Sequence, residues 1–267
     1  MIRIFRIILV SMTICFSNVA LFAGQITPDI KQLKNSPPES ILFIGNSYLY
    51  YNDSLHNHFK RMADERDPNF NGSNNVKSAT IGGSRLKHHN VDHLTQPLAI
   101  SDVEKFDLVI LQGGSGEGLS AKNRKEFNKV VSQHIETIRS KNIEPALYMI
   151  HAFTESHKSY DPDLIRIIEE MYTLSGNMNQ TLVIPVGLAF ETAYMARPDI
   201  KLHKIDGTHP DLLGTYLAAC TVFASVFNES PVGIKYDYNG LINPVDKLFL
   251  QKIAESTVRT FYESSTN

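Results

Sequence analysis

Beyond residue 23 the chain has a single cysteine, Cys220. No disulfide can form within it, and stability has to come from an ordinary apolar core, which a chain of this length can bury as one domain. A basic excess is also missing: 26 Lys and Arg stand against 28 Asp and Glu, a formal net charge of -2. Nucleic acid and anionic membrane surfaces are therefore not expected partners. No GxxxxGK[ST] or GxGxxG motif opens a helix, which counts against a flavodoxin-like phosphate or flavin binder. Internal repeats, low-complexity tracts, a splitting linker and a long apolar lid loop are all absent.

The one long apolar run, 7–22, is interrupted by Ser11, Thr13, Ser17 and Asn18. That is too polar for a membrane span, which needs about 20 strongly apolar residues. With Arg3 and Arg6 ahead of it and Ala23 behind, 1–23 reads as a secretory signal peptide. The expectation is an exported protein, periplasmic or extracellular, with no stable membrane insertion after cleavage. Ile14 before Cys15 argues against a lipoprotein site. Residues 24–39 are polar and proline-bearing and read as an N-terminal arm, leaving 40–267 as a single domain.

Ile41-Leu42-Phe43-Ile44 is a short apolar run ending at Gly45, as a buried parallel strand would. Further apolar stretches at Val76–Ile81, Phe106–Leu111, Pro145–Ile150 and Thr181–Val186 lead to Gly82-Gly83-Ser84, Gln112-Gly113-Gly114-Ser115-Gly116, His151 and Gly187. Between them lie helical spacings. Leu55, Phe59 and Met62 follow the first strand, and Phe127, Val131, Ile135 and Ile138 follow the cap candidate Ser120. Leu164, Ile165, Ile168 and Met171 follow Asp161-Pro162, which reads as a cap with proline at the first helical position. Later helices run through Leu213, Leu217 and Cys220, and from Asn243-Pro244 past Phe261. This alternation predicts a three-layer αβα, flavodoxin-like fold: about five parallel strands with helices on both faces. Ligands of such sheets bind beyond the carboxyl ends of the strands, where the glycine turns lie.

Asn46 and Ser47 stand where the first strand becomes a helix. A serine there meets free N–H groups and a positive dipole end, the beginnings of an oxyanion hole, although Asn and Ser are also common helix caps. Asp206 and His209 are three apart in Asp206-Gly207-Thr208-His209-Pro210, a spacing that lets the carboxylate reach Nδ1–H and leaves Nε2 to face a serine. The same residues could equally form a turn and helix start, with Thr208 capping and Pro210 at the first position.

Taken together, Gly45-Asn46-Ser47, Gly82-Gly83 and Asp206-Gly207-Thr208-His209 resemble three of the four blocks of the SGNH (GDSL-type) hydrolases. Ile41–Tyr51, Leu108–Ser115 and Asp206–Cys220 resemble a bacterial subgroup of that superfamily with a DGTHP-type last block. The resemblance implies Ser47 as nucleophile, His209 as base and Asp206 as its partner, with the N–H groups of Ser47 and Gly83 as oxyanion donors. It implies no metal and no organic cofactor. The third block departs from the pattern, since the usual asparagine is replaced by Gln112-Gly113-Gly114-Ser115-Gly116. Gln112, similar to the glutamine of carbohydrate acetylesterase relatives, is one candidate for the missing donor and Ser115 the other. One such donor is worth about 3 kcal/mol of transition-state stabilisation.

The expected reaction is hydrolysis of a small-molecule or glycan ester through an acyl-enzyme, with short acyl groups, acetyl above all, on a carbohydrate. A catalytically silent, secreted carbohydrate-binding protein on the same scaffold is the rival. Substrate contacts are expected from Asn46, Tyr48 and His151, with Tyr50 and Tyr51 offering either a sugar platform or packing against the sheet. His88, His89 and His93 could suggest zinc, but only Asp92 is at hand to complete a site. Asn52, Asn71 and Asn179 each begin a glycosylation sequon.

Overall fold

The structure, a computed structural model, describes residues 26–35 and 37–263. The signal-peptide expectation, and the first residues of the arm, lie outside them. In chain order the elements are β1 (Ile41–Gly45), α1 (Ser47–Tyr50), α2 (Leu55–Arg66), α3 (Gly72–Asn75), β2 (Val76–Thr80), a 3₁₀ turn (Leu86–His88), α4 (Val91–Leu94), β3 (Leu108–Gln112), α5 (Ala121–Ser140), β4 (Glu144–Tyr148), α6 (Leu164–Met178), β5 (Leu182–Ile184), α7 (Val186–Ala196), α8 (Leu212–Phe227) and α9 (Pro244–Glu263).

The strands form one parallel sheet in the order β2-β1-β3-β4-β5. Its register sets Ile41 beside both Val76 and Leu108, Leu108 beside Glu144, and Ala146 beside Leu182. Every residue of β1 and β3 is buried, as apolar runs covered on both faces require. β2 is an edge, and its Val-Lys-Ser-Ala-Thr sequence is buried only at Val76. One group of helices, α2, α7, α8 and α9, packs together, and another contains α4, α5 and α6. This is the three-layer α/β arrangement expected, and the strands lie within two residues of where the apolar runs put them.

Buried apolar side chains form one continuous cluster from Leu33 to Tyr262. α8 is buried almost all round and serves as a core helix; Cys220 lies inside it, its thiol pushed up by burial. The described part of the arm is tied down. Asn177 accepts from Asp29 N–H and donates to Thr27 O, while the Glu144 carboxylate accepts from Lys34 and Asn35 N–H. Among the described residues, no helix is long and apolar enough to cross a membrane.

Two helix starts and one strand length differ from expectation. α6 starts at Leu164 behind Asp163, because Asp161 is spent on a turn in which its Oδ1 accepts from Asp163 N–H and its carbonyl from Leu164 N–H. α8 starts at Leu212, with Asp211 as cap, so neither Thr208 nor Pro210 begins it. The run Thr181–Val186 is a strand only over Leu182–Ile184, and α7 begins immediately after Pro185.

Candidate active site

β1 delivers the chain to the carboxyl edge of the sheet, and Asn46 turns it. Asn46 has an extended backbone, and its side-chain oxygen accepts from Tyr48 N–H, capping the single turn α1. Ser47 is the first residue of that turn, so its own N–H has no acceptor within the helix. After Tyr51 the backbone is left-handed at Asn52, Asp53 and Ser54, with φ of 53°, 68° and 62°. Asn52 is held there by three bonds. Its amide donates to Pro210 O at 2.9 Å and Thr215 Oγ1 at 2.8 Å, and His58 Nε2–H donates to its carbonyl at 2.7 Å. The serine-bearing segment is thereby tied to the one carrying His209.

The second segment is a tight turn. Lys204 N–H donates to His209 O at 2.8 Å, Gly207 N–H donates to Lys204 O at 3.0 Å, and Gly207 has φ +69°. Glycine is required there by conformation and by space, because a Cβ would press on Ser156 Oγ and Thr154 Oγ1. The turn aims Asp206 and His209 at Ser47. His209 Nδ1–H donates to Asp206 Oδ2 at 2.7 Å, and His209 Nε2 lies 2.9 Å from Ser47 Oγ. Asp206 Oδ1 also accepts from Thr208 and His209 N–H, at 2.9 and 3.0 Å. Partial burial works against the Asp206 charge. The N–H of Thr208 and the imidazole and N–H of His209 outweigh it and bring the carboxyl from 3.8 to about 2.

These groups open on a cleft of about 530 Å³, whose walls include Gly82, Gly83, Ser115, Arg85 and His157. Gly83 has φ +67°, and a Cβ there would meet nothing within 4 Å, so its backbone is open to a ligand. The loop after β3 is fixed from below: Gly113 N–H donates to Tyr172 Oη at 3.1 Å and Gly114 N–H to Glu117 Oε2 at 2.8 Å.

The structure brings together Ser47, Asp206, His209, Gly83 and Ser115, but not Gln112. Gln112 is 1% exposed; its Oε1 accepts from Asn46 N–H at 2.9 Å and its Nε2 donates to Gly113 O. The side chain lies under Gly45, where a Cβ would collide with Oε1. With both ends of its amide engaged beneath the chain, Gln112 supports the nucleophile segment and does not face the cleft.

The expected substrate contacts also change. His151 is 1% exposed and stacked between Tyr48 (4.3 Å) and Phe190 (4.4 Å). Its Nε2–H donates to Thr208 O at 2.8 Å, which fixes the tautomer and leaves Nδ1 buried without a partner. Burial and the neighbouring His203 hold its pKa well below the ordinary value, so it is a neutral prop under the Asp206–His209 turn. Tyr48 is buried with its hydroxyl 2.7 Å from Thr208 Oγ1, and burial pushes its pKa up to about 12. Asn46 borders the cleft, but its amide nitrogen donates to Ser84 O at 3.0 Å and Gly113 O at 3.4 Å. Both residues line the cleft, with their polar groups engaged inside the protein. Tyr51 stacks on His209, and Tyr50 on Tyr51.

His89 does not join a metal set, as its Nε2 is 2.9 Å from Ser84 Oγ, while His88 Nδ1 accepts from Arg85 N–H. Among the described residues, no group of three or more His, Cys, Asp and Glu is placed to hold a metal ion. The Asn52 amide, inside its sequon, is committed to Pro210 and Thr215 and closed to glycosylation.

Sequence reasoning missed Glu117, Arg85 and His157. Glu117 is 4% exposed beneath Gly114, and burial raises its carboxyl to about 7. A lone acidic residue in a glycine-rich loop carries no periodicity to mark it as buried. Arg85 lies two residues past Gly83, and that closeness to the glycine turn is the one signal the sequence offers.

The geometry defines a Ser–His–Asp arrangement on the carboxyl edge of a parallel α/β sheet. Solved structures share the fold. A DUF4886 family protein from Bacteroides uniformis matches with a TM-score of 0.63 and 18% identity, over 84% of this chain and 95% of that one. A protein from Slackia heliotrinireducens, proposed to be an SGNH hydrolase, matches at 0.54 and 19% identity, over 70% and 97%. An acetyl xylan esterase matches at 0.55 and 16% identity, over 70% and 99%. The chain thus has the fold that SGNH hydrolases have. No protein-family model matches it, and no curated protein does.

Proposed function

We propose that this protein is a serine hydrolase that cleaves carboxylic esters through an acyl-enzyme on Ser47. The observation that carries the reading is the continuous chain from Ser47 Oγ through His209 to Asp206, at 2.9 and 2.7 Å, opening into a cleft beyond the strand ends. His209 Nε2 accepts the Ser47 proton as Oγ attacks the carbonyl carbon, and Asp206 steadies the imidazolium. His209 then returns that proton to the leaving alcohol. Water repeats the sequence on the acyl-enzyme and releases the acid.

The developing oxyanion is received by the N–H groups of Ser47 and Gly83. Ser115 is the third donor in this reading, because it lines the cleft together with Ser47, Gly83 and His209, whereas Gln112 is turned away. No step calls for a metal or an organic cofactor.

Within that reading the substrate is a short acyl ester, acetyl in the first place, on a carbohydrate outside the cytoplasm. Support comes from the signal-like 1–23 and from the fold shared with an acetyl xylan esterase. The glutamine of the third block no longer supports it. Membership of the subgroup with the DGTHP-type last block is part of the same proposal. Release of acetate from p-nitrophenyl acetate and from acetylated glycans tests it. Wild-type protein is expected to turn over and Ser47→Ala to fall to background; equal rates for the two would overturn it.

A further inference from the structure

Beside the cleft lies a larger cavity of about 720 Å³ that the ester chemistry does not use. The two adjoin along one stretch of chain, 154–157. Thr154, Glu155 and Ser156 line the cavity, and the next residue, His157, lines the cleft. The strip is fused to the Asp206–His209 turn, since Thr154 N–H donates to Gly207 O at 2.9 Å. This strip is the route along which a ligand anchored at Ser47 would extend into the cavity.

The cavity is rigid and chemically mixed. His203 Nε2–H donates to Ala152 O at 3.1 Å, so Nδ1 accepts from Tyr194 Oη at 2.7 Å, and this pair fixes one wall. Phe190 is locked on His151 at 4.4 Å and Phe153 on His157 at 4.0 Å. Tyr160, 42% exposed, is the aromatic residue left at the rim. Glu155 and Asp161 belong to the same lining, Asp161 with Oδ1 already accepting from Asp163 N–H, and neither Lys nor Arg lines the space. Glu191, a third carboxylate, is already paired with Arg166.

That lining discriminates between ligand classes. An anionic group would meet carboxylates and no cation, and an aliphatic acyl chain would find apolar wall in Ile165 and Met195 but would leave the hydroxyls and carboxylates of Thr154, Glu155 and Ser156 unused. A neutral sugar satisfies both features. Its C–H faces bury against aromatic rings and its hydroxyls donate to carboxylates, in a pocket formed before the ligand arrives.

We propose that this cavity is a distal subsite for neutral sugar units of an oligosaccharide whose esterified unit sits at Ser47. The proposal rests on the esterase reading for its register, but the subsite is testable without chemistry. Calorimetric titration of xylohexaose, mannohexaose and cellohexaose into Ser47→Ala protein should show binding of at least one. Tyr160→Ala in that background should weaken it about tenfold, while thermal melting is unchanged because Tyr160 is at the surface. No binding of any of the three overturns the subsite even if the esterase stands.

In active protein, Tyr160→Ala should raise KM for the acetylated form of the bound hexaose about tenfold and leave p-nitrophenyl acetate kinetics untouched. An equal loss on both substrates contradicts the proposal. So does a selective loss on p-nitrophenyl octanoate or acetylcholine, which would assign the cavity to an acyl chain or a cationic alcohol. A wild-type protein that binds a hexaose but hydrolyses no ester sinks the esterase reading and leaves the subsite standing.

Discussion

Tyr51 lies against His209 with ring centroids 4.4 Å apart and planes 25° from parallel, leaving the imidazole edge nitrogens to meet Ser47 and Asp206. The stack limits the tilt of the imidazole and presents a π face to the imidazolium that forms during acyl transfer. Such contacts are worth about 0.5–1.5 kcal/mol. Tyr51→Leu should therefore lower kcat/KM about 3- to 10-fold, and Tyr51→Phe, which keeps the ring, should keep the rate. Steady-state kinetics on p-nitrophenyl acetate checks both.

Asp206 holds the tautomer that leaves Nε2 free to accept a proton. Asp206→Asn should cost about 10³- to 10⁴-fold in kcat, the scale set by removing this role elsewhere, with little change in KM. The carboxyl lies at about 2 in the folded protein against an ordinary 3.8. A depressed value means that the stability Asp206 contributes is present above about pH 4 and lost as the pH falls toward 2. The pH–rate profile should accordingly show no inflection from Asp206 between about pH 4 and 9.

Gln112 and Ser115 should separate cleanly. Ser115→Ala, which removes a hydroxyl from the cleft, should lower kcat about 10²-fold with melting temperature unchanged. Gln112→Ala strips buried partners from Asn46 and Gly113 and should cost about 1–3 kcal/mol of stability. Its kcat, measured on the folded fraction, should fall less than that of Ser115→Ala. Differential scanning calorimetry beside the kinetics distinguishes the two.

Glu117 predicts a stability change with pH. Its carboxyl is raised by burial from 4.5 to about 7, so the folded protein binds a proton that the unfolded chain has released. That contribution is complete below about pH 4.5 and lost as pH rises through about 7. The shift corresponds to at most about 3 kcal/mol. Urea midpoints across this window should fall more steeply for wild type than for Glu117→Gln, which keeps an acceptor for Gly114 N–H and has nothing to ionise.

Much of this was legible in the chain because it is local. Fully buried strands such as β1 and β3 are written as unbroken apolar runs, and Ser120 in front of the α5 periodicity is a real cap, accepting from Asn123 N–H at 3.1 Å. That Ser47, His209 and Asp206 come within hydrogen-bond reach of one another was legible because each sits at a turn whose chemistry is explicit. β5 and α7 share one hydrophobic run, Leu182–Phe190, in which Pro185 is the only mark of the boundary between strand and helix. Gln112 was misdirected for a different reason. Composition places an amide at the end of β3, but only the packing of Gly45 above it decides that the amide points under the chain. His151 lies at the edge where contacts are expected, but burial makes it a support, while Tyr48 lines the cleft with its hydroxyl held near Thr208 Oγ1.

The central claim is that Ser47 is an activated nucleophile. Intact-mass analysis and peptide mapping after exposure to a fluorophosphonate test it most directly. One adduct should form on wild-type protein, map to Ser47 and vanish in Ser47→Ala; folded wild-type protein that takes no label would contradict the account.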